Sequence, residues 1–86
     1  MKHARDDHNR IQDPAGIIPE DEPVFLLRGQ DVSAPFALEH WAYHHQRRGG
    51  DMRLAELAVQ QAALMRAWQR EHGSKVADLP DTKPSP

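Results

Sequence analysis

Eighty-six residues without a cysteine make one small domain at most, with no disulfide staple and no thiolate metal site. A net charge of −2, with 28% charged and 38% hydrophobic residues, argues against general nucleic-acid binding. No apolar run approaches a membrane span, and Met1-Lys2 leads into His, Arg and Asp rather than an apolar stretch, so the expected location is the cytoplasm.

Residues 1–23 carry three basic and six acidic groups and are broken by Pro14, Gly16, Pro19 and Pro23, which predicts a flexible N-terminal arm with Ile17-Ile18 as its one sticky point. Val24–Leu27 is an apolar run between Pro23 and the turn signal Gly29. It reads as a short buried strand or an extended segment. With no second strand signal in the chain, a strand there is expected to pair with a copy of itself.

The helices are clearer. Ser33 is a suitable N-cap and Pro35 falls in the first turn, so a helix is expected over about 34–48, ending at Gly49-Gly50. Asp51 can cap a second helix over about 52–72, stopped by Gly73 and roughly 33 Å long. The short link implies an αα-hairpin. Residues 24–75 thus form the centre, and 76–86 a disordered, proline-rich tail.

Turning 100° per residue, the second helix gathers Leu54, Leu57, Ala58, Leu64, Met65 and Trp68 within an arc of about 120° centred on Gln61. Ala55, Val59, Ala62, Ala63 and Ala67 form a shallower side that allows another helix close approach. On the first helix, Leu38, Trp41 and Ala42 share a face with His45, while Phe36 and Tyr43 project almost oppositely. So small a core without a staple points to self-association. The expected fold class is therefore mainly all-α: a hairpin preceded by a short extended or β segment, assembled as a helical homo-oligomer, a dimer or higher.

The chemistry-bearing residues converge on "HWAYHHQRRGG", residues 40–50. His40 and His44 share a helical face, but two imidazoles are not a metal site, and no metal or cofactor is expected. His45 and Gln61 each interrupt an apolar stripe. Buried, they must find partners, either as a pair that fixes helix register or on the edge of a ligand. Arg47 and Arg48 lie near Arg53 across the turn, and Arg66 and Arg70 are one turn apart, so either cluster suits phosphate. Trp41 and Tyr43 offer faces for a base. Paired carboxylates, a Ser/His/Asp set and a glycine-rich phosphate loop are all missing from the sequence, so no enzyme is expected.

The run "DEPVFLLRGQD", then "AP" and a helix carrying "HWA", resembles small uncharacterised proteins encoded by phages and prophages; the likeness covers residues 21–42 and the "WQ-x-EHGSK" run at Trp68–Lys75. In size and inferred helical-hairpin assembly the chain is also similar, in architecture alone, to phage sponge proteins that sequester cyclic nucleotides of bacterial defence systems. That likeness implies an anti-defence role in a host cytoplasm. The resulting expectation is a non-enzymatic oligomer that captures a small phosphate-bearing ligand, a nucleotide immune signal. Its ligand residues would be Arg47, Arg48, Arg53, Arg66, Arg70, Trp41, Tyr43, His45 and Gln61. The alternative is a small adaptor or inhibitor that grips a host protein through its aromatic and apolar surfaces.

Overall fold

The computed structural model describes residues 1–80, in two units, Met1–Leu27 together with residues 79–80, and Arg28–Asp78. The second is a helical hairpin, with α1 spanning Ala34–Arg47 and α2 spanning Met52–His72. Local chemistry sets the helix ends. Pro35 occupies the first turn of α1, where its missing N–H costs nothing. Ser33 stands at the N-cap but does not cap with its side chain, contrary to expectation. The Asp31 carboxylate accepts from the Ser33 N–H at 2.9 Å, and the Asp31 carbonyl accepts from the Ala34 N–H. The stronger acceptor sits two residues upstream and takes over the turn.

At the other end, the Gly50 N–H donates to the His45 carbonyl at 2.8 Å while Gly49 turns the chain with φ +80°. Gly50 has its own reason to lack a side chain: a Cβ there would lie 2.1 Å from His45 Nε2. Asp51 then caps α2, its carboxylate accepting from the Arg53 N–H. Gly73, with φ +92°, closes α2 through its N–H to the Gln69 carbonyl.

The seam between α1 and α2 is built from small side chains. Ala34, Ala42, Ala55 and Ala62 are at most 2% exposed, and Pro35 and Met65 are buried with them. Along α2, Ala55, Ala58, Ala62 and Met65 step by three and four residues on the side that meets α1, and Gln69 continues the line under the segment before α1, each of them buried or half-buried. Short side chains let the helices approach closely. A leucine on either side of this seam would hold them apart.

The segment before α1 lies across the end of α2. Lys75 donates its N–H to the Gln30 carbonyl and accepts from the Val32 N–H, forming a parallel bridge between Asp31 and Lys75. Gly29 comes within van der Waals reach of the Met65 side chain.

In the first unit, β1 (Lys2–His3) pairs in parallel with β2 (Pro23–Val24). This corrects the expectation that a strand at Val24 pairs only with a copy of itself. Its partner is the polar dipeptide Lys2-His3, which carries no strand signal because two residues cannot show an alternating pattern. Within the segment expected as an arm, the Asp13 carboxylate accepts from the Ile17 and Ile18 N–H groups, and a 3-10 turn covers Asp6–His8. Ile17 itself stays exposed. Residues 76–80 of the expected tail are exposed, and 81–86 lie outside the described residues.

Candidate interaction face of the hairpin

Once the alanine side of α2 is spent on α1, the larger apolar side chains remain in the open. Leu54, Leu57, Leu64 and Trp68 are 47, 59, 63 and 42% exposed, and Gln61 is exposed among them. Positions 54, 57, 61, 64 and 68 repeat at alternate steps of three and four, the spacing of a helix seam meeting another helix. This second seam runs beside the first, about 100° around α2.

The side of the hairpin on which it lies follows from Arg66 and Glu39. The Arg66 guanidinium forms a bidentate pair with the Glu39 carboxylate, its second bond 2.8 Å long, and sits 4.9 Å from the centre of the Phe36 ring. Phe36, Glu39 and Arg66 therefore share one side of the hairpin. By helical rotation Trp41 lies on the other side, with the leucine stripe of α2. The open face thus combines the α2 stripe with Trp41, which is also exposed. The opposite side carries Phe36 and Tyr43, likewise exposed.

The nine residues singled out in the sequence are separated by the fold. Arg47 and Arg48 end α1 and Arg53 begins α2, so these three share the turn end of the hairpin. Arg47 donates to the Tyr43 hydroxyl at 3.1 Å and lies over its ring, which also fixes Tyr43 along its own helix. Arg53 is ion-paired with Asp51 at 3.2 Å, and this guanidinium, followed by the backbone N–H of Arg53, lowers the Asp51 pKa. Arg48 is exposed. Arg66, expected beside Arg70 in an anion pocket, instead gives its guanidinium to Glu39, while Arg70 is exposed. His45 and Gln61 do not pair within the chain. The His45 ring stacks on Trp41 at 4.6 Å with Nε2 buried and without a hydrogen-bond partner, whereas Gln61 stands on the open face. A second stack joins Trp68 and His72 on α2.

Glu39 links the hairpin's stability to pH. Its pKa is lowered chiefly by the hydrogen bonds from Arg66, while partial burial opposes the shift. A carboxyl whose pKa falls on folding stabilises the fold above its unfolded pKa and loses that contribution as pH drops through the folded value. The melting temperature is therefore expected to decline below the ordinary carboxylate range, and Glu39→Gln is expected to flatten part of that decline. Circular-dichroism melts at several pH values check this; parallel curves for both proteins would refute it.

Gln69 is the residue that sequence reasoning missed. Its side-chain amide donates to both the Gly29 carbonyl, at 2.8 Å, and the Asp31 carbonyl, at 3.0 Å. It thereby joins the "RGQD" run to the "WQ-x-EHGSK" run, and Lys75 adds the backbone bridge. A glutamine on a half-buried helix face carries no signal of which distant carbonyls it will meet. Among the described residues, no group of three or more His, Cys, Asp or Glu side chains is arranged to hold a metal, and no helix is long and apolar enough to cross a membrane.

Compared with protein-family models, with curated proteins and with solved structures, the chain matches none.

Proposed function

We propose that the protein is a non-enzymatic interaction module, a helical hairpin that associates with copies of itself through the Leu54–Leu57–Leu64–Trp68 face. One observation carries this reading: the two-helix seam consumes alanines and leaves a second, larger seam of heptad spacing exposed. Exposed apolar residues scattered singly are ordinary, but four large ones in register on one helix are a contact surface. Each leucine carried from half-exposed to buried contributes about 1 kcal/mol. In a pair of chains this sum competes with the cost of association.

Sedimentation velocity on the purified chain, across micromolar concentrations and upward, tests the reading. The chain is expected to sediment as an assembly and Leu57→Lys/Leu64→Lys as a folded single chain with unchanged helical circular dichroism. A wild-type chain that stays single at every concentration would overturn it.

A second reading keeps a ligand in the assembly. The turn end gathers Arg47, Arg48 and Arg53, and close by it the buried Nε2 of His45 lacks a partner. These features support capture of a small phosphate-bearing molecule, a nucleotide among them, in a pocket completed by a neighbouring copy. Isothermal titration with cyclic and linear nucleotides, on the assembled wild type, is expected to give heat that Arg48→Ala/Arg53→Ala removes. An absence of heat across the panel would eliminate this ligand and leave the interaction module standing.

A further inference from the structure

We infer that two copies pair antiparallel along α2, around a two-fold axis beside Gln61, with Arg53 of each copy set against Glu71 of the other. The inference rests on the open face being a contact surface between copies, and it adds the direction of pairing and the residues that set it.

The stripe is nearly palindromic. Leu54 and Trp68 lie seven residues to either side of Gln61, with Leu57 four before it and Leu64 three after. A two-fold rotation at Gln61 therefore lays the stripe on itself: Leu54 against Trp68, Leu57 against Leu64, Gln61 against Gln61. An isologous contact requires such self-complementarity. It also gives the glutamine a role. A primary amide offers both donors and acceptors, so an identical amide across the axis satisfies it in the middle of an otherwise apolar seam. A polar residue at such a position fixes register at some cost in strength.

Charge decides the direction. Arg53 and Glu71 are eighteen residues apart, five full turns, and so occupy the same angular position on the flank of the stripe away from α1. Both are exposed, and the Arg53 side chain is 87% accessible even while paired with Asp51. In an antiparallel pair with its axis at Gln61, Arg53 lies about 12 Å from the axis along one helix and Glu71 of the second copy about 15 Å from it on the same side, a mismatch of about 3 Å that these side chains span. Two opposite-charge pairs result. Parallel pairing would instead set this flank of one copy against the α1 side of the other, so neither Arg53 nor Glu71 would meet its opposite charge. The same rotation brings α1 of each copy together on the other flank, giving a four-helix arrangement that also covers Trp41.

The chain has no cysteine, so single substitutions report the geometry cleanly. Tagged Leu57→Cys mixed with untagged Leu64→Cys is expected to give predominantly the mixed disulfide under mild oxidation. Self-linked products of each variant without the mixed one would establish parallel pairing and overturn the proposal. Independently, Arg53→Glu and Glu71→Arg are each expected to weaken dimerisation about tenfold, and the double variant to restore it. If the double variant is no tighter than the singles, the charge pairing is wrong. These failures are distinct from failure of the contact face itself, which sedimentation of the unmodified chain reports.

Discussion

Ala62→Leu is expected to lower the melting temperature of the hairpin by roughly 10 °C or more. Ala62 is fully buried in a seam whose other buried members are Ala34, Ala42, Ala55, Pro35 and Met65. The seam has no slack of the kind a larger side chain would give, because its closeness comes from residues with a single methyl. An isobutyl group at position 62 must push α1 away or leave its preferred rotamer, and such overpacking costs about 1–3 kcal/mol. In a domain this small, each kcal/mol corresponds to about 4–8 °C. Leu57→Ala removes more apolar surface from the sequence but from an exposed position, so at concentrations where the chains are separate it is expected to melt close to the wild type. Thermal circular dichroism on the two variants checks the contrast. Equal melting of Ala62→Leu and the wild type would mean that the alanine side of α2 does not face α1.

The second large effect is expected at Gln69. Gln69→Leu keeps nearly the same volume and removes both side-chain hydrogen bonds, leaving the Gly29 and Asp31 carbonyls without the amide that bridges them. The Asp31 carbonyl keeps the Ala34 N–H, so the main loss is at the Gly29 carbonyl, about 1–2 kcal/mol in all. The loss is local before it is global. The Val32 N–H, bound to the Lys75 carbonyl, and the Lys75 N–H, bound to the Gln30 carbonyl, are expected to exchange with solvent faster while the middle of α2 stays protected. Amide hydrogen exchange resolves this, and unchanged protection at Val32 and Lys75 would refute the clamp.

Both predictions concern residues whose neighbours the chain does not announce. Alanine at positions 55 and 62 marks α2 only as smooth on one side, and the larger leucine side is by ordinary hydrophobic reasoning the better candidate for a core. The structure gives α1 the smooth side, because α1 brings Ala34, Pro35 and Ala42 to the contact. The Arg66 guanidinium shows the same limitation. One turn from Arg70 it reads as half of an anion site, and only the fold brings Glu39, on another helix, within hydrogen-bond reach.

What the chain determined unaided is local. Pro35 in a first turn, glycines at 49, 50 and 73 and an aspartate at 51 placed both helices and the hairpin link, because each acts on its own backbone or on groups a few residues away. Even there Asp31 displaced Ser33 as the side chain that holds the start of α1, since two nearby oxygens compete and the charged one accepts more strongly. What only the tertiary structure decided is which stripe of α2 is consumed and which is left open, which strand Val24 joins and which carbonyls Gln69 clamps. Periodicity along a helix fixes the angles between its faces. Which partner each face meets depends on segments far away in the chain, and one-dimensional spacing carries no record of them.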